Sequence, residues 1–161
     1  MAKAFILSNQ TFVREGIIGY LKAAGEIEIA GAVSYSHSDV PAIDNDVEIL
    51  IVDLCAQQDP TGVVKKMRRV REDAKVIAMC PAYATENAVK ALDSGAAAIL
   101  THECRADELT IAIKKVRAGD NFVQPDIAME IFKEMRAKEA NRAEAEKSPK
   151  NLTTICFKTI F

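Results

Sequence analysis

Asp53 follows four apolar residues, Ile49-Leu50-Ile51-Val52, and is the first group in the chain placed to do chemistry. Such a run suits a strand buried on both faces, which delivers its last residue to the carboxyl edge of a sheet. Open α/β sheets place their sites on that edge. Asp53 is therefore either a reacting carboxylate or a loop cap. Three other short apolar runs end on polar or sulfur-bearing residues: Ala4–Leu7 on Ser8-Asn9, Val76–Met79 on Cys80, and Ala98–Leu100 on Thr101-His102. Ser8 and Asn9 read either as caps of the following helix or as ligands. A Cys80 thiolate beside a His102 imidazole would be a nucleophile pair, against the plainer reading of a buried cysteine beside a surface histidine. The basic run Lys65-Lys66-Arg68-Arg69-Arg71 could touch phosphate, although a solvated helix face accounts for it as well. His37, in a polar loop, carries no signal.

Helical periodicity lies between these runs. Val13, Ile17, Tyr20, Leu21 and Ala24 recur at helical spacing and close on Gly25. Ile27–Val33 reads as a weaker strand near the sheet edge, and the Ser- and Asp-rich segment with Pro41 permits only a short or broken helix. Gln57-Gln58-Asp59-Pro60 is turn-like and precedes a helix through Val63, Met67 and Val70. Thr85 and Glu86 open another that stops at Gly95, and Ala106–Ala118 forms one more, closed by Gly119. Five alternations call for a parallel sheet covered on both faces. The fold class is α/β, a flavodoxin-like (βα)5 doubly wound sheet with an extra C-terminal helix. From Asp126, a narrow stripe of Ile127, Ile131, Phe132 and Met135 gives way to Ala, Glu, Lys, Arg and Asn up to Lys147. The stripe is either core packing or a dimer seam. The expected division is a domain over 1–125, a helical linker over 126–147 and a disordered tail over 148–161.

The 161 residues suffice for one domain and an extension, and a net charge of −2 argues against a general basic field for nucleic acid. No apolar run reaches the roughly 18 residues of a membrane span, and Met1-Ala2-Lys3 leads into a strand without a signal-peptide core. The four cysteines, Cys55, Cys80, Cys104 and Cys156, include no C-x-x-C pair, which suits a reduced cytoplasm. Ser8-Asn9-Gln10-Thr11-Phe12 lacks the glycines that wrap a phosphate, which counts against flavin binding.

Val13-Arg14-Glu15-Gly16, Asp53-Leu54, Ala91-Leu92-Asp93-Ser94-Gly95-Ala96 and Ala118-Gly119 occur in that order. Together they resemble the receiver domain of two-component response regulators, in particular the NarL/FixJ-like branch, over roughly residues 3–125. The resemblance implies a sheet order of 2-1-3-4-5 and a phosphoacceptor at Asp53. It also implies an acidic pair where this chain has Ser8 and Asn9, a Ser or Thr at Cys80, a switch aromatic at Ile99, a lysine at His102 and a proline at Gln57. Only the phosphoacceptor is kept.

Aspartyl phosphorylation relies on Mg²⁺, which seeks anionic oxygens in octahedral geometry. With Ser8 and Asn9 neutral, Asp53 is the one carboxylate at that position, so the site is expected to hold no cofactor, or Mg²⁺ only weakly. Cys80 is a poor donor, an imidazole replaces the lysine amine, and Ile99 has no hydroxyl. The expected function is a non-enzymatic signalling module of a transcriptional response regulator, a pseudo-receiver that works without phosphorylation through a protein partner or a homodimer. The alternative is an active receiver phosphorylated on Asp53 by a histidine kinase. In the resembling branch, a LuxR-type helix-turn-helix domain follows and opens with L-T-x-R-E. Leu152-Thr153-Thr154 resembles that opening before Ile155-Cys156-Phe157 departs from it, so DNA contact is expected only through a domain absent from this chain.

Overall fold

Two interleaved apolar sets determine this structure. Along β3 (Ile49–Asp53), Leu50 and Val52 face one layer while Ile49 and Ile51 face the other, and every residue of the strand is buried. A strand dry on both faces requires helices above and below it. A computed structural model describes residues 1–35, 39, 41–55 and 59–147. Its strands are β1 (Ala2–Leu7), β2 (Ile27–Val33), β3, β4 (Lys75–Cys80), β5 (Ala98–Thr101) and β6 (Phe122–Val123). They form one parallel sheet in the order β2-β1-β3-β4-β5-β6.

Of the helices, α1 (Thr11–Ala24) and α4 (Ala106–Arg117) cover one face through Ile17, Leu21, Leu109, Ala112, Ile113 and Val116. The other face is covered by α2 (Pro60–Val70), α3 (Thr85–Asp93) and the start of α5 (Pro125–Lys147), through Val63, Val64, Met67, Ala88, Val89 and Ile131. Local chemistry sets the ends. Asp59, expected in a turn, caps α2 by accepting from the Thr61 and Gly62 N–H groups, with Pro60 in the first turn. Gly25 closes α1 at a φ of 68°, where other residues are strained.

The expected order 2-1-3-4-5 is present, with two differences of detail. A sixth, two-residue strand extends the sheet beyond β5, too short for periodicity to reveal. The crossover from β2 to β3 contains no helix among the described residues, so the (βα)5 alternation is incomplete there. Tyr35, Ile43 and Val47 cover that part of the core instead, an arrangement that the Ser, Asp and Pro content of the segment favours over a helix.

The stripe on α5 divides. Ile131 is buried and Ile127 packs against the core, whereas Phe132 and Met135 are 49% and 38% exposed. The helix lies against α3, and Lys138 Nζ reaches Asp93 Oδ2 at 2.8 Å, so its first turns are fastened to the domain. His37, Gln57 and the 148–161 tail lie outside the described residues.

Ile131→Ala should lower unfolding stability by about 2–4 kcal/mol, because it empties a filled core position. Phe132→Ala should cost less than about 1 kcal/mol. Urea denaturation of the two variants checks the division of the stripe.

Candidate functional site

The ends of β1, β3, β4 and β5 bring Ser8, Asp53, Cys80 and His102 to one edge of the sheet. Pairing continues past the strands: the Leu54 N–H donates to Met79 O at 2.7 Å and the His102 N–H to Cys80 O at 3.1 Å. These bonds fix the backbone directly beneath the side chains. Asp53 is 1% exposed, and a carboxylate so deeply placed needs partners for its oxygens.

Both oxygens have one. The Ser8 hydroxyl donates to Oδ2 at 2.7 Å, and Ser8 is itself fully buried. His102 Nε2 meets Oδ1. An ionised carboxylate only accepts, so with Asp53 ionised the Nε2 atom carries the proton of that bond. Ser8 is positioned by two further contacts, accepting from the Gln10 N–H at 3.2 Å and offering its carbonyl to Arg14 Nη1 at 2.7 Å. Tyr35 completes the frame, its hydroxyl donating to the Asp53 carbonyl at 2.8 Å.

The remaining site positions play other parts. Asn9 is exposed, and its Oδ1 accepts from the Tyr35 N–H at 2.7 Å, which ties the end of β2 to the end of β1. Gln10 occupies the cap position of α1 without a side-chain bond, so neither Ser8 nor Asn9 is the helix cap proper. Ile99 lies inside β5, fully buried in the core rather than at the edge. Cys80 is 1% exposed, and burial, aided by the Asp53 charge, pushes its thiol up to about 12. A thiol held so firmly is no nucleophile near neutral pH, and the ring of His102 serves Asp53 instead.

An open cleft of about 320 Å³ adjoins the site, lined by Gln10, Cys55, Pro81, Tyr83, His102 and Glu103. A hard divalent cation fits this donor set poorly. Asp53 has both oxygens engaged, Ser8 and Asn9 are neutral, and among the described residues no three His, Cys, Asp or Glu side chains are grouped to hold a metal.

Sequence reasoning missed Tyr35, Arg14 and Gln124. Gln124, 1% exposed, accepts through Oε1 from the Thr101 N–H at 2.8 Å and from the Thr101 hydroxyl at 3.1 Å, beside His102. Arg14 stood in a motif, but nothing in the residue type disclosed its target. Tyr35 and Gln124 sit outside every periodic run.

No family model matches the chain. The transcriptional regulatory protein LiaR of Bacillus subtilis is 22% identical over 160 residues, spanning 98% of this chain and 76% of LiaR. The DNA-binding transcriptional activator DevR/DosR of Mycobacterium tuberculosis is 26% identical over 141 residues, 84% of this chain and 64% of that protein. Among solved structures, the isolated REC domain of RcsB from Salmonella enterica serovar Typhimurium, in the presence of the phosphomimetic BeF3⁻, superimposes with a TM-score of 0.66 at 18% identity. That match covers 80% of this chain and 96% of the RcsB domain. The chain has the fold of that receiver domain. Its relatives are regulators of the LuxR/NarL type, of which it spans about two thirds to three quarters. No helix among the described residues is long and apolar enough to cross a membrane.

Cys80 of the native domain should resist iodoacetamide at neutral pH, while the part-exposed Cys55 is alkylated; peptide mass spectrometry reads the difference. Between the ordinary thiol value of 9.0 and about 12, the unfolded chain releases a Cys80 proton that the folded chain keeps. Stability therefore falls as pH rises through that window, and Cys80→Ala should flatten the fall, as measured by denaturation at stepped alkaline pH.

Proposed function

We propose that this receiver domain is a non-enzymatic regulatory module of a cytoplasmic, transcriptional response regulator, and that it works without aspartyl phosphate. One observation carries the reading: both oxygens of the Asp53 carboxylate are already held, by Ser8 and His102, in a buried position. To accept a phosphoryl group, Asp53 would have to surrender a partner and the site would have to gather cation ligands from neutral residues. The groups that would then grip the phosphoryl oxygens are a neutral Cys80 thiol and an imidazole already committed elsewhere.

A phosphorylation switch works by bonding the phosphoryl group differently in two conformations. Ile99, buried and without a hydroxyl, has no polar contact to exchange between them. A modification that interacts equally with both states shifts neither. The module would act instead by presenting a fixed surface to a protein partner or to a second copy. The competing reading is a receiver phosphorylated on Asp53 by a histidine kinase with weakly held Mg²⁺. In its favour is the cleft that opens beside His102, wide enough to admit a small donor.

Beryllofluoride with Mg²⁺ separates the two. The melting temperature of the parent domain is expected to stay unchanged, as in Asp53→Ala; a rise in the parent that Asp53→Ala abolishes would overturn the proposal. The double variant Ser8→Asp, Asn9→Asp should gain Mg²⁺ binding by titration calorimetry. Without metal it should lose about 1–3 kcal/mol of stability, because Asp53 exchanges a hydrogen-bond donor for a like charge.

A further inference from the structure

Helices α2 and α3 each leave the carboxyl edge of the parallel sheet and run back to its other edge, so their last turns stand at the end of the domain away from Asp53. Between those turns opens a cleft of about 440 Å³, lined by Lys65, Arg68, Arg69, Glu72 and Ser94. The three cations stand at i, i+3 and i+4 on α2, which places them on one stripe. Other basic side chains are spent on carboxylates, as those of Lys90, Lys114, Arg117 and Lys138 are. Among the described residues, Lys65, Arg68 and Arg69 have no such partner, and Glu72 in the same cleft pairs with none of them.

Arg68 is also fixed in direction. It lies against Gly95, whose φ is 108°, and a Cβ there would collide with the Arg68 Cδ and guanidinium. Three cations against one carboxylate leave two positive charges in the cleft. The two helix ends offset only about half a charge each, so a surplus remains.

We propose that this cleft docks an acidic, extended segment of a protein partner, with carboxylates facing Lys65, Arg68 and Arg69. Lys65 and Arg69 are about 6 Å apart along the helix axis, at 1.5 Å per residue. Alternate side chains of an extended peptide are about 6.6 Å apart, so carboxylates at every second position can meet both cations. The guanidinium fork takes a carboxylate through two parallel bonds. Four charged side chains and a serine line the cleft, which offers a small molecule no enclosing apolar walls. No aromatic ring lines it to stack a base, and a net charge of −2 supplies no field that gathers nucleic acid.

The site deepens the proposed function and rests on one clause of it, that the module meets a protein partner. It stands apart from Asp53, so Asp53→Ala should bind the same peptide equally well. The beryllofluoride result and the result below can therefore each fail alone.

The test titrates the whole chain into a fluorescein-labelled peptide of alternating glutamate and serine, read by fluorescence anisotropy at low ionic strength. Saturable binding is expected at submillimolar protein, weakening as salt is raised. A peptide of alternating glutamine and serine should not bind. Lys65→Glu, Arg68→Glu and Arg69→Glu should each weaken binding about fivefold or more. Lys22→Glu and Lys115→Glu change the net charge equally, from helices on the other face of the sheet, and should weaken it less than about twofold. Lys65 and Arg69 are exposed, so their thermal melts should match the parent and keep the test decisive even where Arg68→Glu disturbs the fold. A parent that does not bind, reversals at Lys65 and Arg69 that bind like the parent, equal losses in the Lys22 and Lys115 variants, or tighter binding of a single-stranded DNA of equal charge would each overturn the proposal.

Discussion

Everything at the carboxyl edge of this domain answers to one constraint, a carboxylate almost wholly removed from water. Asp53 ends a strand with no wet face, so its charge finds compensation only in neighbouring strand ends. Ser8 and His102 supply it from two directions, and the Tyr35 hydroxyl ties down the carbonyl of the same residue. Burial makes these bonds strong and makes their loss costly, because a buried charge left half-partnered pays its desolvation in full. The same bonds take one acceptor site on each carboxylate oxygen.

The architecture around the carboxylate is conventional where it must be and spare where it need not be. Two helices cover one face of the sheet and three the other, yet the passage from β2 to β3 contains no helix among its described residues. Tyr35 does two jobs there. Its ring fills part of the core that a helix would cover, and its hydroxyl and amide reach Asp53 and Asn9. Asn9 is thereby used as a strap between strand ends.

The sheet, its order and most helix ends were legible because period and punctuation agree in this chain: wholly apolar four-residue runs, helical spacing between them, and glycines after them. What escaped were features with no period. β6 has two residues, and the β2–β3 passage covers the core with isolated side chains. At the site, residue types said of Asp53 only that its neighbours Ser8 and Asn9 are neutral. They did not reveal what it has. That Ser8 and His102 would turn inward onto the carboxylate depends on the relative heights of three strand ends, and this is information of register rather than of composition. The stripe on α5 read as either core or seam, and the structure divides it, since a helix seated on a flank can bury only one side of its apolar residues.

Gln124 has a further consequence for how this molecule can be deformed. Its buried amide oxygen grips both the backbone and the hydroxyl of Thr101, and it stands immediately before Pro125, where α5 begins. On the other side of Thr101 is His102. The root of the long helix and the imidazole that holds Asp53 therefore share a single abutment. The two Gln124 bonds brace the base of the 23-residue α5 against the end of the strand that leads into His102.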